Sequence, residues 1–193
     1  MQGLLQKVNS EGIRILNGVT VTSFQDNADE VAIETTEFAF SSKKLCIAVN
    51  GFATDLIPEE VKPARAQVLI TKPIHKLAIK GTFHLQEGYY YFRNIDNRIL
   101  LGGGRNLNFS AEETTQFGTT KLVQDKLVEI LKEVILPDTP FEIDYAWSGI
   151  MGVGEQKKPI VKLQSNNVAC GVRLGGMGIA IGTSVGRQLA ETF

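Results

Sequence analysis

A chain of 193 residues with a formal net charge of -1 is long enough to bury a sizeable core, as one domain or as two small ones. Its 43% hydrophobic and 21% charged content is that of an ordinary globular protein. The mixed charge leaves no footprint for nucleic acid, and no apolar run approaches the roughly 20 residues a membrane span requires. The first residues lack the basic-then-apolar pattern of a signal peptide. Cys46 and Cys170 sit inside apolar runs and read as reduced, buried thiols, which with the rest suggests a cytoplasmic protein. His75 and His84 give a metal site little to build on, and none is expected.

In chain order, residues 4 to 9 read as the last turns of a helix, stopped by Asn9-Ser10-Glu11-Gly12. Ile13, Ile15 and Val19 to Val21 give short strand signals, and Glu30 to Thr36 alternates as a half-buried strand does. Lys44 to Asn50 is almost continuously apolar, as in a parallel or mixed sheet, and Gly51 ends it. Gln67 to Phe92 offers strands, followed by a turn at Asn94 to Asn97 and a strand from Arg98 to Leu101. Residues 111 to about 135 carry apolar side chains at three- and four-residue spacing and predict a long helix, closed by Pro137 and Pro140. Phe141 to Ile143, Tyr145 to Trp147 and Ile160-Val161 return to extended structure.

The most informative stretch comes last. Val168 to Val172, with Gly171 inside it, reads as a buried strand, the glycines Gly175, Gly176 and Gly178 follow, and Ile179, Ile181, Val185 and Leu189 predict a helix with one inward face. Glycines at such a junction let the backbone approach a bulky group and leave the first helical amides free for an anion; a tight turn packed under a sheet is the plainer alternative. The pattern as a whole predicts an α/β protein with α+β character. A partial nucleotide-binding layer, 1-62 and 147-193, would enclose an inserted antiparallel sheet plus helix, 63-146. No GxGxxG precedes it.

Four stretches together resemble the FAD-dependent oxidoreductases of the D-amino-acid oxidase and glycine oxidase type. They are Gly12 to Val21 with Lys43 to Ala53; Pro63-Ala64-Arg65-Ala66-Gln67; Gly88 to Arg93 with Arg98 to Gly104; and Tyr145 to Gly149 with Lys158 to Val161 and the closing glycines. The resemblance implies FAD as cofactor and hydride transfer from an amine, an amino acid or a related small substrate to the flavin, with the final electron acceptor open. It implies flavin contacts at Gly175, Gly176, Met177, Gly178 and Ile179 and at the strand-end pair Asn50 and Gly51. Tyr91, Arg105 and Arg173 become the candidates nearest the substrate. Because the family's amino-terminal dinucleotide-binding unit has no counterpart here, the chain is expected to be a portion of a longer protein and inactive alone. The competing expectation is a non-catalytic remnant or accessory domain that keeps the substrate-domain fold and binds no FAD. One departure bears on substrate: where amino-acid oxidases of the family carry a carboxylate-clamping arginine after Trp-x-Gly-x, this sequence has Met151. Arg93, Arg105 and Arg173 are the arginines that could compensate.

Overall fold

The computed structural model describes residues 2 to 193. Its frame is a five-stranded antiparallel sheet in the order β6-β7-β8-β5-β9, formed by β5 (Lys62–Thr71), β6 (Thr82–Leu85), β7 (Tyr90–Ile95), β8 (Arg98–Gly103) and β9 (Ile143–Val153). Strict alternation makes this sheet two-faced. Leu69, Ile99, Leu101, Tyr90 and Phe92 point to one side and pack on helix α2 (Lys121–Ile130), which presents Val123, Leu127 and Ile130. The helix continues as one π turn, Leu131–Ile135, that adds Leu131 and Ile135 to the same core. The opposite face carries small residues, Ala64, Ala66, Gly102 and Gly149, with Tyr91, Trp147 and Met151 among them, as the register of the strands requires.

A second core lies around a mixed three-stranded sheet, β10-β11-β4, made of β4 (Leu45–Ile47), β10 (Ile160–Leu163) and β11 (Val168–Val172). Here β11 runs parallel to β4 and antiparallel to β10, and all five of its residues are buried. An antiparallel meander, β1 (Val21–Asp26), β2 (Val31–Thr35) and β3 (Ala39–Ser42), covers this core through Val31 and Ile33. The meander is fastened by Asp26, which accepts hydrogen bonds from the Ser165 hydroxyl and from the Asn167 backbone and side-chain amides. These bonds, Ser165's first, hold the Asp26 carboxyl below its ordinary pKa. Helix α1 (Gln2–Ser10) buries no residue, and helix α3 (Gly178–Ala190) closes the chain.

Several expectations change on contact with this arrangement. Ile13 and Ile15 lie in an exposed, unpaired segment rather than in strands. The strand expected from Lys44 to Asn50 is three residues long, because Asn50 turns into the left-handed region (φ 50) and starts a short 3-10 helix, Asn50–Asp55. The long helix begins at Lys121 instead of near 111. Residues 111 to 120 are a loop whose buried Glu112 is gripped by the sheet, a tertiary attraction that local spacing does not display. Cys46 is exposed, whereas Cys170 is buried, and both are free. The inward face of α3 is confined to Val185 and Leu189, which pack over Gly171; Ile179 is 91% exposed. The residues expected to bound the inserted domain lie in β5 and β9, which pair from Lys62 opposite Val153 to Thr71 opposite Ile143.

Among the described residues no helix is long and apolar enough to cross a membrane, and no group of three or more acidic, histidine or cysteine side chains is placed to hold a metal.

Candidate functional site

Three segments far apart in sequence meet at the end of β9. The first is the strand end itself, Met151 and Gly152. The second is the Asn50-Gly51 turn, which lies so close beneath it that a Cβ on Gly51 would sit 2.5 Å from the Met151 carbonyl oxygen, and one on Gly152 would sit 2.5 Å from Asn50 Oδ1. The third is the turn from β11 into α3. Asn50 Oδ1 accepts the Leu174 amide (3.0 Å), and the Gly152 carbonyl accepts the Gly175 amide (2.9 Å). Asn50 and Gly51 therefore act as the seat of this junction, with the Asn50 oxygen already engaged.

The turn is built from left-handed residues: Arg173 (φ 63), Gly175 (φ 58) and Gly176 (φ 82). Glycine adopts this conformation freely, whereas arginine does so at a cost that its surroundings must offset. The Arg173 guanidinium is held on several sides. Its Nη1 donates to the Glu60 carboxylate (2.7 Å) and to the Glu60 carbonyl (3.2 Å), and Nε donates to the Lys158 carbonyl (2.9 Å). A side chain of this charge, 8% exposed, would be costly without such partners.

Between β9, the loop after it and the start of α3 lies a cavity of about 590 Å³, walled by Arg105, Met151, Gln156, Lys157, Arg173 and Met177 among others. Two further wall residues, Gly175 and Ile181, belong to the turn and to the first turn of α3. The amides of Gly178 and Ile179 find no acceptor among the described residues, as expected for the start of an uncapped helix. Arg105 reaches the cavity from a short 3-10 turn, Arg105–Leu107, that follows Gly104. Its guanidinium lies over the Phe109 ring, 4.7 Å from the centroid, which holds it without neutralising it.

Of the residues singled out from sequence, Arg105, Arg173, Gly175 and Met177 thus line one cavity with Met151. Gly176 lies against the Met151 sulfur, and Ile179 points to solvent. Tyr91 is not among the wall residues. Its ring rests on Gly102, where a Cβ would stand 2.6 Å from both Cζ and Oη, and burial pushes its phenol pKa up. Tyr89 precedes the strand and packs edge-on against Phe109. Replacing Gly102 with alanine is expected to lift the Tyr91 ring off the sheet at a cost of about 1 to 3 kcal/mol. A tyrosinate absorbance titration should then show one tyrosine moving back toward its ordinary pKa; an unchanged titration would place the ring elsewhere.

Sequence reading missed Glu60, Phe109 and Lys157. A signal for Glu60 was present, since a buried arginine between a strand and a glycine cluster demands a carboxylate, but nothing local says which one.

The profile of the FAD dependent oxidoreductase (DAO) family matches residues 1–192. The chain belongs to that family. Among curated proteins it is similar to the probable oxidoreductase OrdL of Rhizobium meliloti (strain 1021), 23% identical over 98% of this chain and 44% of that protein. Among solved structures, glycine oxidase from Geobacillus kaustophilus superposes with a TM-score of 0.85 at 18% identity, covering 99% of this chain and 52% of that one. L-proline dehydrogenase from P.horikoshii gives 0.79 at 17% identity, covering 98% and 53%. The L-alpha-glycerophosphate oxidase of Mycoplasma pneumoniae, solved with FAD bound, gives 0.78 at 14% identity, covering 99% and 54%. The fold is that of the FAD-dependent oxidases, and the chain spans about half the length of the relatives it matches.

Proposed function

We propose that this chain forms the substrate-facing wall and the flavin-edge cradle of an FAD-dependent oxidoreductase acting on an amine, an amino acid or a related small molecule. The activity is proposed for the protein as a whole, with residues 63-146 as its substrate domain and the flanking segments as part of its FAD-binding domain. The observation that carries the reading is the convergence of Arg105, Met151, Gly175 and Met177 on one cavity beside the uncapped start of α3.

The residues at that point suit FAD. Gly175 has open space where a side chain would stand, and Gly178 and Ile179 offer unpaired amides at the positive end of a helix dipole. A flat ring edge that gains electron density on reduction is matched by such donors. When bound there, FAD would supply the two-electron acceptor for the hydride leaving the substrate carbon. The chain's own part is to orient the substrate, keep water from it and balance its charge. No paired carboxylate or histidine base lines the cavity, which suits an amine that arrives neutral.

Arg105 is the group we assign to an anionic part of the substrate. Arg173 is tied to Glu60, and Arg93 spends its Nε on the Asn94 carbonyl (3.3 Å). Met151 makes the position of the missing clamp apolar. Replacing Arg105 with alanine should lower kcat/KM for carboxylate-bearing substrates by about 2 to 4 kcal/mol and leave neutral amines nearly unaffected. Met151→Arg should not restore an amino-acid oxidase, because a clamp needs its hydrogen-bonding shell as well as its fork.

The experiment is anaerobic reduction of the FAD-loaded whole protein by a panel of D- and L-amino acids, N-methyl amino acids, polyamines and 2-hydroxy acids. Bleaching of the flavin absorbance by a nitrogen-bearing member supports the reading. A protein that takes up no FAD, or one bleached by no member, points instead to a non-catalytic accessory domain.

A further inference from the structure

We propose that Glu60 is a positioning residue: it fastens the loop 154–159 and Arg173 into one unit and thereby fixes two walls of the cavity. The inference rests on that cavity being the site proposed above. Both carboxylate oxygens of Glu60 are used. Oε2 accepts Arg173 Nη1 (2.7 Å), and Oε1 accepts the amide of Glu155 at the start of the loop (2.6 Å). Arg173 in turn reaches the end of the loop through the Lys158 carbonyl. The pair therefore grips the loop at both ends, and the residues between them, Gln156 and Lys157, together with Pro159, form cavity wall. Gly154 makes the grip close: a Cβ there would stand 2.6 Å from Arg173 Cδ and 2.9 Å from Glu60 Oε1. The charge-assisted bonds also hold Arg173 at its left-handed φ, and Arg173 leads directly into the Leu174-Gly175 amides that dock on Asn50 and Gly152.

The neighbouring glutamate supplies the control. Glu59 faces β10, pairing with Lys162 (2.9 Å) and accepting from Gln164 (2.8 Å), and makes no bond to the loop. Burial pushes its carboxyl pKa up, but the bonds from Lys162 and Gln164, then the Lys162 charge and last that of Arg173, outweigh this and hold it below the ordinary range. Two adjacent carboxylates thus divide the work, one on the sheet and one on the cavity wall.

The loop carries its own reporter, because trypsin cleaves between Lys157 and Lys158 when that backbone is released. In the full chain, Glu60→Gln should speed cleavage at this bond about ten-fold, and Glu59→Gln should leave it unchanged. In the FAD-loaded protein, Glu60→Gln should raise KM about ten-fold and keep kcat within about two-fold. If Glu60→Gln does not fold, Glu60→Asp gives the same comparison, since one methylene fewer cannot span both Arg173 and the Glu155 amide. Equal cleavage in Glu60→Gln and wild type overturns the proposal, as does equal acceleration by Glu59→Gln, which would mean general loosening. Faster cleavage with an unchanged KM overturns the positioning role. If no substrate turns over, the functional reading falls, and the cleavage ratio alone decides whether Glu60 fastens the loop.

Discussion

Replacing Glu112 with alanine is expected to cost a large share of the stability of this chain, about 3 to 5 kcal/mol. Its carboxylate is 1% exposed and takes Arg65 in a two-point grip, Nε at 2.8 Å and Nη2 at 3.2 Å. It also accepts Gln67 Nε2 (2.9 Å) and the Thr120 hydroxyl (3.1 Å). Alanine would strip the Arg65 guanidinium of its carboxylate, leaving it the Ala111 carbonyl (3.3 Å), and would leave Gln67 Nε2 with the Thr120 hydroxyl alone (2.8 Å), the costly half of removing one partner from a buried pair. In a protein of this size the loss should lower Tm by roughly 6 to 20 °C in a thermal melt.

The same group predicts a direction for acid sensitivity. Burial pushes the Glu112 carboxyl pKa up, but the bonds from Arg65, Gln67 and Thr120 and the Arg65 charge more than offset it and leave the value below the ordinary one. A lowered folded pKa means the unfolded chain takes up its proton first as pH falls. The stabilisation is therefore complete above the ordinary glutamate range and is lost as pH drops through the lowered value. The Glu112→Ala protein should show a flatter decline of Tm across that acid window than the wild type. The backbone of this loop also reaches the cavity. The Glu112 amide donates to Asn108, and Asn108 to the Arg105 carbonyl, so the network anchors the turn that carries Arg105.

How much of this was legible beforehand depended on whether an interaction was local. The closing strand, the glycine turn and a helix after it could be read directly, because burial, left-handed φ and apolar spacing each leave a mark within a few residues. So could the antiparallel sheet with its helix. The start of α2 could not. Thr114, Thr115 and Gly118 interrupt an otherwise helical pattern, and Gly118 takes φ 121, yet what holds the loop is Glu112, bonded to residues 45 and 47 positions away. The site divides in the same way. Glycines 175 and 176 announced themselves, whereas the partner of Arg173 lies 113 positions off and the perch of Arg105 on Phe109 depends on a turn without a sequence signature. Tyr91 lies outside the wall of that cavity, since alternation gives a face of a sheet but not a position along it.

Gly176→Val is the second large effect, and it separates strain from space. At φ 82 a β-branched residue is strongly disfavoured, which should cost about 1 to 3 kcal/mol before any contact is counted. Its Cβ would also stand 3.0 Å from the sulfur of Met151, a flexible neighbour that lines the cavity. Gly175 provides the contrast, since its φ of 58 is also left-handed but a Cβ there meets nothing within 4 Å. Asparagine tolerates that conformation, so Gly175→Asn should lower Tm only slightly. If the turn cradles the flavin, both variants should purify with less FAD: Gly176→Val because Met151 and the turn are displaced, Gly175→Asn because a side chain now fills the space kept open for the ring. If the turn serves the fold alone, Gly176→Val should lose stability with its FAD content unchanged, and Gly175→Asn should resemble wild type in both. Flavin absorbance per protein, read beside a thermal melt for each variant, distinguishes the two outcomes. A full FAD content in Gly175→Asn would mean that the open space at this turn is not where the ring lies.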